Sequence, residues 1–411
     1  MKSIKFAAKP EILRGRIDLP SSKSISNRVL LIKALCGEPF RILNLSESGD
    51  TRLMRELLEE NGKMINTGNT GTVMRFLTAY YAITEGQRDL IGSERMKERP
   101  IKHLVDTLIA LGADIEYLGK EGYPPIRING KKLKGGRCEI DATVSSQFVS
   151  ALLMVAPFFE EGLELIMKGE PVSYPYIIMT IRLLEDYGIR VRKWKNKITI
   201  RPQRFKPKQI KIEPDWSSAS YIYALASIFS KVDIELLGLG KRSIQGDSII
   251  PELMKGFGIK TVFKKGSAFL SRIPVRKKKM VFNFKDNPDL VPTFAVLCAL
   301  HSIPFHFSGL ESLKIKESNR IEALAMELEK LGIKVSFSDT EMLSESFGNL
   351  TFESKEIKTY NDHRIAMSFA IAACKCEDLI IEDPDAVEKS YPLFWADLES
   401  LGVLFRYLPK Q

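Results

Sequence analysis

Six times along the chain, a segment with helix-like spacing of leucines ends at a glycine and leads into alternating apolar residues. A glycine at this point is typical of the left-handed residue that closes a helix, and the alternation indicates a strand, as in residues 333–337. Successive glycines are 50, 76, 70, 74 and 70 residues apart, so the sequence predicts six copies of one αβ unit. The glycines are Gly62, Gly112, Gly188, Gly258, Gly332 and Gly402.

A polar, mostly charged group of residues precedes each of these helices. Equivalent helices begin at the same end of every unit, so we expect six N-termini with free N–H groups on one side of the molecule. Arg99, Lys316 and Lys389 add cations there, which favours small ligands with several negative charges. Helix capping is the plainer alternative, but capping requires neither lysine nor arginine. The groups are 49–51, 98–100, 173–175, 245–247, 316–318 and 389–392.

Length and charge narrow the class of protein. A chain of 411 residues exceeds what one core usually organises, so we expect two domains. The net charge of +10 favours anionic partners, which include phosphorylated metabolites, nucleic acid and membrane surfaces. The sequence has no recognisable nucleic-acid module and no interleaving of aromatic and basic residues, so small anions are the better interpretation.

Cysteine and histidine usage predicts no metal site, and we expect no cofactor. The five cysteines are scattered, the pair Cys374 and Cys376 lacks zinc or redox spacing, and only four histidines are present. Residues 1–6 lack the apolar core of a signal peptide, and the longest apolar run is too short to cross a membrane. We therefore expect a cytoplasmic protein without a membrane partner.

The six units divide naturally into three per domain. We expect an N-terminal domain of residues 14–213, a C-terminal domain of residues 1–13 and 214–411, and hinges near 13–20 and 212–216. The strand-like segment before Arg14 has no unit of its own, so it could pair with the last unit. The short first interval indicates that about 20 residues are missing after Gly62, which would leave the first unit without a strand or hairpin.

Three motifs place neutral or cationic donors at helix starts. The run 21–28 brings serines, Lys23 and Arg28 to the start of a helix, which suits a phosphate together with a carboxylate. The run 68–75 leads from a Gly/Asn turn into a helix, where Gly71 lets the backbone approach an anion. The run 144–148 offers hydroxyls and an amide. Helix capping alone accounts for one serine of the run 21–28, not the whole run, and for one group of the run 144–148. A tight turn alone would also require the glycine of the run 68–75.

Three further motifs carry titratable groups. Asp289 lies just before an apolar helix, where it is either a helix cap or a general base toward a substrate hydroxyl. Residues 314–320 place Glu317 between cations, and residues 360–367 place His363 beside Arg364. A surface salt-bridge network is the alternative for these last two, but it does not explain why all lie at the same end of the repeat.

Taken together, these motifs resemble those of the EPSP synthases, the 3-phosphoshikimate 1-carboxyvinyltransferase family, in order from about residue 15 to 400. The resemblance implies an α/β (α+β) fold with two domains of three βαβαββ units each, which close over the substrates. It also implies a reaction in which the 5-hydroxyl of shikimate 3-phosphate adds to C2 of phosphoenolpyruvate and phosphate leaves. This chemistry uses no covalent enzyme intermediate, metal or organic cofactor.

The resemblance also implies roles for individual residues, and one position departs from the family pattern. Ser312 stands where relatives often have a substrate-contacting asparagine, so that contact is shorter or lost. The shikimate 3-phosphate site would comprise Lys23, Ser24, Arg28, Ser145, Ser146, Gln147, Ser173, Asp289, Ser312 and Lys316. The phosphoenolpyruvate site would comprise Lys23, Gly71, Arg99, Gln147, Arg320, Arg364 and Lys389. The catalytic groups would be Asp289 as base, Glu317 as acid, and Lys23, His363 and Lys389 assisting the departure of phosphate.

Two alternatives remain open. UDP-N-acetylglucosamine enolpyruvyl transferase has the same fold, but its members typically carry a reactive cysteine on a mobile loop, and the motif loops here contain none. A polyanion-binding or nucleic-acid-binding protein would use the basic surface, and weak, salt-insensitive retention on DNA would count against it. We expect a monomer whose partners are the two small-molecule substrates.

Overall fold

The computed structural model describes residues 2–60, 62–345, 356–376 and 378–408. The helices are α1 Lys23–Cys36, α2 Gly49–Glu59, α3 Gly71–Ile83, α4 Glu94–Lys97, α5 Lys102–Ala110, α6 Ser146–Val155, α7 Tyr174–Asp186, α8 Trp216–Ser227, α9 Ile250–Lys255, α10 Val291–Leu300, α11 Arg320–Glu329, α12 His363–Ala373 and α13 Phe394–Ser400. Short 3-10 helices cover Ala156–Phe158, Gly246–Ile249, Pro288–Leu290, Glu311–Leu313 and Pro384–Lys389.

The strands fall into six sheets. Strands in the first half are β1 Ser3–Ala8, β2 Leu13–Ile17, β3 Ile42–Leu43, β4 Met64–Asn66, β5 Gly86–Ile91, β6 Asp114–Tyr117, β7 Ile126–Gly130, β8 Gly136–Asp141, β9 Leu163–Lys168, β10 Val191–Trp194 and β11 Lys197–Ile200. Strands in the second half are β12 Ile210–Lys211, β13 Val232–Leu236, β14 Ile259–Lys264, β15 Ser267–Arg272, β16 Met280–Asn283, β17 Phe305–Ser308, β18 Ser336–Phe337, β19 Glu341–Ser344, β20 Glu356–Ile357, β21 Ile380–Glu382 and β22 Leu404–Leu408.

The chain separates into two compact units. The N-terminal unit comprises Lys23–Ser46 and Asp50–Ile212, and the C-terminal unit comprises the residues up to Ser22, Glu47–Gly49 and the residues from Glu213 onward. The predicted division at residue 13 cuts through β2, whereas this compact unit extends to Ser22. The reason is that β2 pairs in parallel with β13, so its backbone hydrogen bonds belong to the C-terminal unit.

The four-stranded sheets share one topology, in which a parallel strand pair joins an antiparallel pair. In the N-terminal unit the orders are β4-β5-β7-β6 and β10-β11-β9-β8. In the C-terminal unit they are β14-β15-β13-β2, β16-β17-β19-β18 and β20-β21-β1-β22. Strand β1 pairs antiparallel with both β21 and β22, which confirms the prediction that the N-terminal strand joins the last unit.

The first repeat is the short one, as its spacing predicts. Its described sheet has only two strands, β3 and β12, which pair in parallel. Helix α2 ends at Glu59, and the next strand, which begins at Met64, already belongs to the following sheet because it pairs with β5. The predicted α/β fold of six units, with the first abbreviated, is confirmed.

Buried helices form the centre of each unit. In the C-terminal unit, every residue of α8, α10 and α12 is buried, so other elements enclose these helices on all sides. In the N-terminal unit, α6 is buried at every position except Gln147. Polar side chains nevertheless occupy the first turns of α6, α8 and α12, at Ser146, Gln147, Ser217, Ser218, His363 and Arg364.

The glycines that define the repeat behave largely as predicted. Gly112, Gly188, Gly258, Gly332 and Gly402 have φ between 78° and 105°, the left-handed region expected after a helix. The sixth segment, 57–62, includes Asn61, which lies outside the described residues. The strand predicted at 333–337 is shorter than expected and covers only Ser336–Phe337. Within the described ranges, no helix is both long and apolar enough to span a bilayer.

Gly130 makes a close backbone contact that provides a stability test. A Cβ at Gly130 would overlap the carbonyl oxygens of Tyr81 and Thr84 at the end of α3. Backbone atoms cannot move aside cheaply, so we expect Gly130→Ala to lower the free energy of unfolding by about 1–3 kcal/mol. Gly119→Ala is the control, because its Cβ would lie 3.5 Å from Pro125 Cδ, an ordinary contact. Denaturant unfolding checks this, and equal stabilities of the two variants would contradict it.

Candidate active site

Arg28 is a buried cation with neutral partners. It lies in the second turn of α1 and is 2% exposed. Its Nε donates to Thr180 Oγ1 at 2.7 Å, its Nη1 to the carbonyl of Ser24 at 2.8 Å, and its Nη2 to Ser150 Oγ at 3.1 Å. Burial lowers its pKa to about 10. Among the described residues no carboxylate pairs with Arg28, so its charge is available to an anionic ligand.

Lys23, by contrast, already contacts a carboxylate. Its Nζ lies 2.9 Å from Asp50 Oδ2, and Asp50 Oδ1 accepts a hydrogen bond from Thr70 Oγ1 at 2.8 Å. Asp50 is in the first turn of α2 and Thr70 immediately precedes α3, so three helix starts meet at this point. The sequence predicted a helix start at residues 49–51 but not the ion pair between Asp50 and Lys23. The only sequence signal for that ion pair is that both residues lie at predicted helix starts.

Gly71 is enclosed by two guanidinium groups. It is the first residue of α3, and a Cβ there would overlap both Arg75 Nη1 and Arg99 Nη2. Arg99 is 4% exposed and donates to the carbonyl of Asn69 at 3.1 Å. Glycine therefore allows two buried guanidiniums to reach the N-terminus of α3, where backbone N–H groups also favour an anion. Arg75 was not among the predicted site residues, although it lies inside the motif 68–75.

The remaining predicted groups of the N-terminal unit lie at the starts of α6 and α7. Ser145 caps α6, because its Oγ accepts from Gln147 N at 3.3 Å, while Gln147 Nε2 donates to Thr72 Oγ1 at 3.0 Å. Ser146 is buried at the first position of the helix. Ser173 precedes α7 with φ of 53° and no side-chain capping bond. A serine in this left-handed conformation is a strained position of the kind found at ligand sites.

The predicted groups of the C-terminal unit gather around Arg320, which is 1% exposed. Its Nε donates to Asp362 Oδ2 at 2.8 Å, its Nη1 to Asp289 Oδ1 at 3.0 Å, and its Nη2 to Glu317 Oε2 at 2.8 Å. A single guanidinium thus holds three carboxylates. Asp362 is the N-cap of α12 and lies in the motif 360–367, but it was not among the predicted site residues.

Further cations surround Asp289. Arg364 Nη2 donates to Asp289 Oδ2 at 2.7 Å, and Lys316 Nζ lies 3.8 Å from Asp289 Oδ1. Burial opposes ionisation of this carboxylate, but the charges of Arg364, Lys316 and Arg320 outweigh burial and hold its pKa well below the usual range. Burial lowers the pKa of the Lys316 ammonium, and the charge of Asp289 partly offsets this. Asp289 is therefore an ionised, strongly paired carboxylate.

Two other predicted groups of this unit lie within 4 Å of carboxylates in the Arg320 cluster. Lys389 Nζ lies 3.9 Å from Glu317 Oε1. His363 is the buried first residue of α12, with Nδ1 3.8 Å from Asp362 Oδ1. Ser312 is buried in the 3-10 helix Glu311–Leu313.

A second buried carboxylate, Asp247, supports the segment before α10. It accepts hydrogen bonds from Ser217 Oγ at 2.5 Å and from Asn287 Nδ2 at 3.1 Å. Burial, together with the negative charge of Asp289, raises the pKa of Asp247 to about 6. Asn287 is two residues before Asp289, so this contact positions the predicted base. The sequence indicated residues 245–247 only as a helix start.

Two compact units built from repeated sheets of one topology have the two-domain enolpyruvyl transferase fold. The chain belongs to the EPSP synthase (3-phosphoshikimate 1-carboxyvinyltransferase) family, whose model matches residues 7–66 and 58–398. The resemblance read from the motifs is thereby confirmed.

Individual relatives cover almost the whole chain. A 3-phosphoshikimate 1-carboxyvinyltransferase of Bacteroides fragilis is 43% identical over 396 residues, 96% of each chain. One from Actinobacillus pleuropneumoniae serotype 3 is 35% identical over 422 residues, covering 95% of this chain and 97% of the relative. The crystal structure of EPSP synthase from Acinetobacter baumannii has a TM-score of 0.76 at 21% identity over both full chains, which supports the fold.

Removal of Arg320 tests its place at the centre of this cluster. We expect Arg320→Ala to destabilise the protein by about 3–5 kcal/mol, because the carboxylates of Asp289, Glu317 and Asp362 would lose their shared buried cation. Lys314→Ala is the control, since its ion pair with Asp339 is largely exposed and should contribute at most about 1 kcal/mol. Denaturant unfolding measures both variants, and similar losses would contradict the assignment.

The stability of the wild type and that of Arg320→Ala should also depend differently on pH. Because the pKa of Asp289 is lowered in the folded state, its stabilisation is complete above the unfolded pKa of about 4 and is lost as pH falls further. In Arg320→Ala this loss should shrink, since protonation relieves repulsion among the carboxylates. Unfolding free energies measured from pH 7 down to pH 3 should therefore converge for wild type and variant. A constant difference across that range would contradict the prediction.

Proposed function

We propose that this protein transfers the enolpyruvyl group of phosphoenolpyruvate to the 5-hydroxyl of shikimate 3-phosphate in aromatic amino acid biosynthesis. The hydroxyl oxygen bonds to C2 of phosphoenolpyruvate, its proton is removed, and C3 gains a proton. The C2–O bond to phosphate then breaks, C3 loses a proton, and the products are 5-enolpyruvylshikimate 3-phosphate and phosphate. The observation that carries the proposal is the ionised Asp289 held among Arg320, Arg364 and Lys316.

The N-terminal unit supplies mainly anion-binding groups. A buried guanidinium without a carboxylate partner gains most from a dianionic phosphate, and Arg28 is in that situation. Shikimate 3-phosphate would be held by Lys23, Ser24, Arg28, Ser145, Ser146, Gln147, Ser173, Asp289, Ser312 and Lys316. Phosphoenolpyruvate would be held by Lys23, Gly71, Arg99, Gln147, Arg320, Arg364 and Lys389.

Asp289 is proposed as the base toward the 5-hydroxyl. A general base works best when its pKa is near the working pH, yet pairing with Arg320 and Arg364 holds the pKa of Asp289 low. Phosphoenolpyruvate brings a carboxylate and a phosphate, which compete for the same two guanidiniums. Substrate binding would therefore weaken both ion pairs and make Asp289 more basic at the step that requires it.

Glu317 is proposed as the acid toward C3. It must carry a proton at that step, and the proposed source is the Lys389 ammonium, whose Nζ lies 3.9 Å from Glu317 Oε1. Lys389, Lys23 and His363 are proposed to assist the departure of phosphate, because cations stabilise the negative charge that develops on the leaving group. Asp289 and Glu317 share the Arg320 guanidinium, so their protonation states are coupled and belong to the pair.

The alternative function, nucleotide-sugar enolpyruvyl transfer, typically uses a reactive cysteine, and the thiols described here do not favour it. Burial raises the pKa of Cys138 and Cys374 to about 12 each and that of Cys376 to about 11, so none of these is a reactive thiolate. All five cysteines are free, which agrees with a reducing compartment. We therefore propose a cytoplasmic enzyme that acts as a monomer on its two small-molecule substrates.

Phosphate release tests the function and the base together. On mixing with shikimate 3-phosphate and phosphoenolpyruvate, the protein should release phosphate only when both substrates are present. Asp289→Asn should reduce kcat by about 10²–10⁴-fold, because an amide cannot take the hydroxyl proton. Unchanged release in a folded Asp289→Asn variant would move the base elsewhere, and no release by the wild type would contradict the function.

Gly71→Ala tests the phosphoenolpyruvate site. The added methyl group would push Arg75 and Arg99 away from the start of α3, so the anion would lose well-placed donors. We expect KM for phosphoenolpyruvate to rise about tenfold or more, as for one lost charged hydrogen bond, while KM for shikimate 3-phosphate changes little. Steady-state kinetics with each substrate varied in turn makes the measurement. Equal increases in both KM values would contradict the assignment.

A further inference from the structure

A hollow of about 640 Å³ lies on the outer face of sheet β10-β11-β9-β8 in the N-terminal unit. Ile198 of β11 is buried, so the side chain of its neighbour Lys197 points to the opposite, outer face. The strand register places Trp194 opposite Lys197, and Arg192 lies two residues earlier on the same face. The hollow contains none of the residues assigned above to the enolpyruvyl transfer.

The lining carries a large excess of positive charge. Its single carboxylate, Glu164, is already paired with Lys197 at 3.1 Å. Arg190, Arg192 and Arg201 form no ion pair with any residue that the structure describes. Three exposed guanidiniums around one hollow repel each other. A multiply charged anion in the hollow would offset this repulsion and lower the electrostatic free energy.

Two of these arginines are held side by side by one glutamine. Gln203 Oε1 accepts from Arg190 N at 2.8 Å, and its Nε2 donates to the carbonyls of Arg190 and Arg201 at 3.1 and 3.0 Å. The side chain thereby ties together the two chain segments from which the guanidiniums project. Paired arginine forks match the geometry of phosphate oxygens, so this edge of the hollow suits a phosphate chain.

An exposed aromatic ring completes the hollow. The Trp194 side chain is 67% exposed, and Lys195 Nζ lies 4.6 Å from its ring centroid. It is the single aromatic among the described lining residues, so it offers a stacking surface for one base. A nucleic-acid strand would require several stacking rings along a groove, whereas the volume here is that of a small-molecule site.

We propose that this hollow, lined by Arg190, Arg192, Trp194, Arg201 and Gln203, is a binding site for a nucleoside polyphosphate. The phosphates contact the guanidiniums of Arg190, Arg192 and Arg201, and the base stacks on Trp194. The proposal is independent of the enolpyruvyl transfer, because it concerns a different set of residues.

Calorimetric titration with ATP in the absence of magnesium tests the site, with pyrophosphate and adenosine as partial ligands. We expect binding of ATP, weaker binding of pyrophosphate and little binding of adenosine. Arg192→Gln/Arg201→Gln should weaken ATP binding by about a hundredfold, as for two lost charged hydrogen bonds. Trp194→Ala should reduce the affinity for ATP to that for pyrophosphate and leave pyrophosphate binding unchanged.

The matched control removes the same amount of charge elsewhere. Arg276→Gln/Lys278→Gln neutralises two exposed cations of the basic run 276–279, and it should leave ATP binding within twofold of the wild type. Phosphate release from shikimate 3-phosphate and phosphoenolpyruvate should be unchanged in all three variants, which also verifies that they fold.

Several results would overturn the proposal. ATP binding that survives Arg192→Gln/Arg201→Gln would place the nucleotide elsewhere, for instance on the cations of the active site. Equal weakening by the control variant would show attraction to net charge alone. A single-stranded oligonucleotide that binds more tightly than ATP at physiological salt would assign the surface to nucleic acid.

Discussion

The cluster of carboxylates in the C-terminal unit depends on ion pairing with the Arg320 guanidinium. The guanidinium is almost fully buried, and it contacts carboxylates from the 3-10 helix before α10, from the loop before α11 and from the N-cap of α12. Without this cation, Asp289, Glu317 and Asp362 would repel each other in a site that water barely enters. The positions of three chain segments are therefore fixed by one charge.

The same ion pairing lowers the basicity of Asp289 as long as no ligand competes for its partners. A carboxylate clamped by Arg320 and Arg364 is correctly placed but weakly basic, because proton uptake would break two charged hydrogen bonds. Phosphoenolpyruvate, the proposed substrate, would compete for these donors with its own carboxylate and phosphate. Asp247, through Asn287, would hold the segment in place during that exchange. In the proposed reaction, ion pairing would thus link the placement of Asp289 to the arrival of the substrate.

Much of this could be predicted from the sequence, because glycines and helix starts are local signals. Five of the six repeat glycines adopt the predicted left-handed φ, and the motif residues lie at helix starts. The contacts of Asp50 and Asp362 were not predicted, since Asp362 lies 42 residues from Arg320 and no local pattern records that pairing. Pairing of β2 with β13 was missed for the same reason, as a five-residue strand carries no sign of its distant partner.

Arg28 and the cations around Asp289 differ in whether they are already paired with a carboxylate. In the C-terminal unit, Lys316, Arg320 and Arg364 each already pair with the carboxylate of Asp289, so an anion binds to them only by displacing that carboxylate. In the N-terminal unit Arg28 is buried against hydroxyls and carbonyls, which leave its charge uncompensated among the described residues. A phosphate that reaches Arg28 displaces no ion pair. An anion at Arg320 or Arg364, by contrast, must first break the ion pair with Asp289.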